Sequence, residues 1–284
     1  MRWIISNLLI VALIVVALVA RAAEAQTRTS AESYFHRAMQ RYARGDVDAA
    51  IKDFDAAIAF NPQNAVAYSN RGAARELKGD CVGALADFNR AIEINARLAV
   101  AYNNRGHLRF GRGDVDGAIS DYSIAIEINP GYDYALYNRA NIRRDRGELD
   151  GAIADYTAAI KSNPRFIEAY NNRGNTRFAK GEIEAAIADY NQAIRINPRV
   201  AFNYTGRANA RLLKGDLNGA IADYSRAIKI DPRFAEAYAN RGLALLVQRR
   251  PSEAERDFEK SLRLDPALRA TLEERIRKSK KSEK

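Results

Sequence analysis

The sequence predicts an all-α protein, a tandem array of seven two-helix units closed by one further helix. Three observations carry that prediction. An Asn-Pro pair or a near variant returns every 34 residues, at Asn61-Pro62, Asn95-Ala96, Asn129-Pro130, Asn163-Pro164, Asn197-Pro198, Asp231-Pro232 and Asp265-Pro266. A glycine precedes the pair at a fixed distance in six units: Gly45, Gly79, Gly113, Gly147, Gly181 and Gly215. Between glycine and pair, apolar residues fall on one face of a helix, as in Ala118, Ile119, Tyr122, Ala125 and Ile126. Self-similarity at a fixed period of this size marks units that cannot bury their apolar faces alone and must stack.

Taken in chain order, residues 1–25 form a segment of their own. Arg2, an apolar run from Leu8 to Ala20 and alanines on both sides of Glu24 make the pattern of a secretory signal peptide cleaved after Ala25. The alternative extends the run back to Trp3 as an uncleaved membrane anchor, at the lower length limit for a spanning helix. The short run favours cleavage, and either reading places the remainder outside the cytoplasm, periplasmic or secreted. Residues 26–30 read as a short linker. The repeats then occupy 31–64, 65–98, 99–132, 133–166, 167–200, 201–234 and 235–268. In the first six, the first helix ends at the glycine, which supplies a left-handed cap. The second ends before the proline, which disfavours helix in the residue ahead of it. The seventh unit replaces the glycine turn with Arg249-Arg250-Pro251 and looks like an end unit. Residues 269–284 supply a capping helix, predicted within 267–277, and a basic tail.

Position by position, the eighth place of the unit is small (Ala38, Gly72, Gly106, Ala140, Gly174, Ala208, Gly242), the twentieth is alanine and the twenty-fourth is phenylalanine or tyrosine. A 34-residue two-helix unit with this pattern and a late proline resembles the tetratricopeptide repeat, over 238 of the 284 residues. The resemblance implies a right-handed α-solenoid, or superhelix, whose concave groove is lined mainly by first helices and receives protein or peptide partners.

Two places depart from the family pattern. The seventh is arginine in every unit: Arg37, Arg71, Arg105, Arg139, Arg173, Arg207 and Arg241. The eleventh is arginine in six, Arg41, Arg75, Arg109, Arg143, Arg177 and Arg211, with Leu245 in the seventh. Both lie beside the small eighth place, close to the packing face, where a guanidinium must be paired. The twenty-third place provides the partner: Asp53, Asp87, Asp121, Asp155, Asp189, Asp223 and Asp257. Arginines and aspartates in fixed phase predict a structural ladder of bidentate ion pairs that sets register between helices. The alternative is that a spiral of arginines, or the basic tail, binds an anionic polymer or an anionic membrane surface. Matching aspartates oppose it.

Opposite the packing face, the sixth place holds Asn70, Asn104, Asn138, Asn172 and Asn240, and the ninth holds Asn141, Asn175 and Asn209. A carboxamide both donates and accepts, which suits the main chain of an extended peptide. The five sixth-place asparagines resemble the asparagine ladder in the repeat domain of O-linked N-acetylglucosamine transferase, without that enzyme's catalytic domain. Solvated or helix-bridging amides are the competing reading. Tyr42, Phe110, Tyr134, Phe178 and Phe202 are expected to reach the same side, forming side-chain pockets or lining gaps between neighbouring repeats. A lysine–asparagine clamp for a terminal carboxylate, known from chaperone adaptors, is not supported, because no place in this stripe carries lysine.

Composition narrows the function further. The net charge of +10 is concentrated at the end: residues 26–274 hold 37 basic and 33 acidic side chains, while the last ten hold six and one. No nucleic-acid module accompanies the charge, and none is expected as a partner. Cys81 is the only cysteine and the two histidines stand apart, so neither a disulfide nor a cysteine-based metal site is expected, and no cofactor. No phosphate-cradling loop or metal-binding helix motif occurs. The sequence predicts a non-enzymatic interaction scaffold of the cell envelope that binds a protein or peptide. Membrane association through residues 1–25 and self-association are both open.

Overall fold

The computed structural model describes Arg21 and residues 26–281. The expectation of a signal peptide or anchor in residues 1–25 lies outside the described residues. No described helix is long and apolar enough to cross a membrane.

Among the described residues the chain is helical throughout, without a strand. Helix α1 covers 26–43. It is followed by α2 (Val47–Phe60), α3 (Ala65–Leu77), α4 (Cys81–Ile94), α5 (Ala99–Gly111), α6 (Val115–Ile128), α7 (Asp133–Asp145) and α8 (Leu149–Ser162). Then come α9 (Ile167–Lys180), α10 (Ile183–Ile196), α11 (Ala201–Leu213), α12 (Leu217–Ile230), α13 (Ala235–Val247), α14 (Pro251–Leu264) and α15 (Arg269–Lys281). Residues 26–30, expected as a linker, are helical and continue into α1. The chain divides into two units, one ending at Ala135 and one beginning at Leu136.

The turns explain the punctuation of the sequence. The six glycines between paired helices adopt φ of 78–86°, the left-handed region that costs other residues steric strain. In the seventh repeat Arg249 takes that conformation, with φ of 60°. At the other end of each unit the Asn or Asp of the recurring pair accepts from the backbone N–H two residues on, as Asn61 does from Gln63 and Asp231 from Arg233. That side-chain turn stabilises the exit from the second helix. Asp80, Asp114 and Asp216 cap second helices by accepting from Gly83, Gly117 and Gly219 N–H.

Within a repeat the twenty-fourth-place aromatic packs on the small eighth place. Phe88 faces Gly72 so closely that a Cβ there would stand 2.7 Å from the ring. The twentieth-place alanines from Ala50 to Ala254 are fully buried, as are the twenty-seventh-place residues from Ala57 to Ser261. Alanine at these places lets helix axes approach, and the aromatic ring fills the space that remains. Helix α15 covers the last repeat: Leu272 is buried against Ala239 and Leu243, with Phe258, Leu262 and Ile276 around it.

Candidate interaction surface of the first helices

Every seventh-place arginine makes a bidentate pair with the twenty-third-place aspartate of its own repeat. Nε and one terminal nitrogen reach the two carboxylate oxygens at 2.6–3.0 Å in Arg37–Asp53, Arg71–Asp87, Arg105–Asp121 and Arg139–Asp155. Arg173–Asp189, Arg207–Asp223 and Arg241–Asp257 repeat the geometry. The aspartates are almost fully buried. In six repeats the eleventh-place arginine adds a further contact at 2.7–2.9 Å, from Arg41, Arg75, Arg109, Arg143, Arg177 and Arg211. At the N-terminal end the bond from Arg37 holds the Asp53 carboxyl below the usual carboxylate range, against the opposing effect of burial.

The remaining guanidinium nitrogen ties one repeat to the one before it. Arg71 reaches Asp55, Arg105 Asn89, Arg173 Thr157, Arg207 Asn191 and Arg241 Ser225, at 2.6–3.0 Å. All these partners occupy the twenty-fifth place. The same guanidinium lies over the ring of the tyrosine three residues earlier in six repeats, at 4.8–5.7 Å. The arginine is therefore a hub joining its own second helix, the preceding repeat and a stacking ring. The sequence reading missed the last two contacts. Their signal was an unbroken run of polar residues at the twenty-fifth place and tyrosine at the fourth place in all but one unit.

The ninth-place asparagines bridge helices, the competing reading of these amides. Asn141, Asn175 and Asn209 accept from the hydroxyls of Tyr156, Tyr190 and Tyr224 at 2.6–2.7 Å. Those amide oxygens serve the repeat's own core, because a buried phenol needs an acceptor. Burial pushes the three tyrosine hydroxyls above their ordinary range of ionisation.

The sixth-place asparagines are half-buried on the first helices. Asn70 donates to the Val66 carbonyl, Asn104 accepts from Asn103, and Asn172 donates to Tyr137 and to Asn141. Asn240 accepts from Arg275 of α15, so the cap uses the amide of the last repeat. Asn138 also has a partner within the chain. One turn before these amides, the second place is exposed and apolar in consecutive repeats of the first unit: Val66 (41%), Val100 (36%) and Tyr134 (57%). In the second unit Phe202 is 67% exposed and packs on Phe234. Of the other aromatics expected here, Phe110 is exposed, whereas Tyr42 and Phe178 line gaps between neighbouring repeats, against clusters that include Ala74 and Ala210 of the following repeat. Among the described residues no group of His, Cys, Asp and Glu could hold a metal ion.

This stacked-pair geometry defines a class of helical repeat protein. The tetratricopeptide repeat profiles match residues 40–79, 140–181 and 208–248, and again 167–200 and 235–268, together more than half of the chain. The chain belongs to the tetratricopeptide repeat family, whose members are generally non-enzymatic scaffolds that bind protein or peptide partners. Among solved structures it is similar to MamA, at 28% identity over 58% of this chain and 96% of that one, with a TM-score of 0.55. A tetratricopeptide repeat protein from Parabacteroides merdae matches at 22% identity over 88% and 99%, TM-score 0.58. YrrB, described as having an unusual peptide-binding site, matches at 20% over 65% and 97%, TM-score 0.56. No curated protein gives a significant match.

Proposed function

We propose that this chain is a non-enzymatic interaction module of the cell envelope that holds an extended segment of a protein partner on the exposed face of its first helices. The observation that carries the reading is the file of half-buried asparagines beside exposed apolar side chains. Asn70 and Asn104 each lie one turn from Val66 and Val100 on α3 and α5. Such a surface offers burial to alternate peptide side chains and amide groups to the peptide main chain. Asn70 uses its donor within the chain and Asn104 its acceptor, which leaves the Asn70 oxygen and the Asn104 amino group for a peptide. The envelope location rests on the pattern of residues 1–25. The anionic-polymer alternative loses support because the arginine donors that would serve it are already bonded to aspartates and to the preceding repeat.

The test uses a peptide selected on the whole chain from a random library. Replacing Asn70 and Asn104 by alanine removes up to two neutral hydrogen bonds, worth about 0.5–1.5 kcal/mol each. Affinity is expected to fall by roughly fivefold to two-hundredfold, with a shallow salt dependence. Unchanged affinity in the variant, with a steep loss on adding salt, would instead assign the binding to charge.

A further inference from the structure

A second set of pairs runs along the edge formed by the turns between paired helices, and it has one gap. The fourteenth place of a repeat meets the eighteenth place of the repeat before it. Lys78 bonds Asp48, Lys180 bonds Asp150 at 2.6 Å, Lys214 lies 3.4 Å from Glu184, and Gln248 donates to Asn218. In the third repeat the cationic residue is Arg112, and the residue at the eighteenth place before it is Val82. Among the described residues Arg112 has no side-chain partner. The neighbouring acids are committed elsewhere: Asp80 caps α4, Asp114 caps α6, and Glu76 contacts His107.

The gap is also apolar. Val82 is 74% exposed, and Leu77, on the other side of the same turn, is 65% exposed. A single exposed valine needs no explanation. Here the valine replaces the carboxylate on a rung whose cation is kept, and a second exposed aliphatic side chain borders it.

We propose that this edge of the second and third repeats docks a protein segment that sets a carboxylate on Arg112 and an aliphatic or aromatic side chain on Val82 and Leu77. Charge complementarity selects the occupant. The Lys78–Asp48 rung shows that this geometry accepts an acid opposite the cation, and a planar exposed guanidinium suits a carboxylate better than it suits other groups. None of these three residues belongs to the asparagine site, so either site can fail alone.

The test is fluorescence polarisation on the whole chain with a panel of labelled eight-residue peptides. Each carries Asp or Glu one to four positions from Leu or Phe, with a matched panel in which lysine replaces the acid. Some acid peptides are expected to bind about tenfold more tightly than their lysine counterparts, and both Val82→Asp and Arg112→Ala to weaken them by about fivefold or more. Asn70→Ala leaves this binding unchanged. Val82→Asp also closes the rung, so its melting temperature stays level or rises, which separates lost docking from lost folding. A panel in which acid and lysine peptides bind alike, or not at all, overturns the proposal, as does Val82→Asp binding like the wild type.

Discussion

The hydroxyl of Tyr224 donates to Oδ1 of Asn209 across one repeat, at 2.6 Å. The pairing follows a rule visible along the chain. Where the twenty-fourth place is tyrosine, the ninth is His107, Asn141, Asn175 or Asn209; where it is Phe54, Phe88 or Phe258, the ninth is Met39, Ala73 or Leu243. In the fourth, fifth and sixth repeats hydroxyl and acceptor are present together, and beside each phenylalanine both are absent, as the cost of stranding a buried polar group requires.

This rule gives a double-mutant test. Asn209→Leu alone leaves the Tyr224 hydroxyl without its acceptor and is expected to destabilise by about 1–3 kcal/mol. Adding Tyr224→Phe recreates the Leu243–Phe258 arrangement of the last repeat and recovers most of the loss. Additive losses in denaturant unfolding would contradict the pairing.

The arginine hubs predict a larger effect. Arg139→Leu removes two of the three bonds to Asp155, leaving only Arg143 at 2.7 Å. The expected cost is about 3 kcal/mol, at the lower end for breaking a buried pair because one partner remains. Changing Arg139, Asp155 and Arg143 together to leucine removes the stranded charges and restores much of the stability. Equal melting temperatures for the wild type and Arg139→Leu would sink the account.

A pH dependence follows from His107, whose Nδ1 lies 2.9 Å from Glu76 Oε1. That bond raises the imidazole pKa, against the lowering effect of burial. A folded value above the unfolded one means that the pair stabilises fully below about 6.5 and loses its contribution as pH rises through the folded value. Glu76 is the acid facing the ring, and the buried Tyr122 hydroxyl, raised by burial and then by the Glu76 charge, stays neutral throughout. Glu76→Gln is therefore expected to lower the melting temperature more in mildly acidic than in mildly alkaline solution. An equal effect at both would exclude the charged pair.

Arg249 adopts the left-handed conformation that glycine fills in the other six turns. Arg249→Gly is expected to raise stability by about 1 kcal/mol, since it relieves that strain. Gly147→Ala should lower it by a similar amount. The reverse order in thermal unfolding would contradict the reading of these turns.

The repeat, both helices of each unit, the turns and the Arg–Asp phase were legible because each rests on a residue type recurring at a fixed place. What escaped the sequence were relations between places on different helices. The arginine's reach back to Asp55 or Asn89, and the claim of Tyr156 on Asn141, depend on which side chains meet across a helix pair, and periodicity within one helix does not carry that information. Tyr42 and Phe178 take the gap-lining one of their two expected roles, half-buried beside Ala74 and Ala210 of the following repeat.

The central claim is that the first helices meet a partner through amides and apolar side chains, while their arginines hold the repeats together. Side-chain NMR of the whole chain tests it directly, by following Asn amide and Arg Nε–H signals as the selected peptide is added. The account predicts shifts at Asn70 and Asn104 with Arg71 and Arg105 unmoved. Shifts at the two arginines, with both asparagines silent, would contradict it.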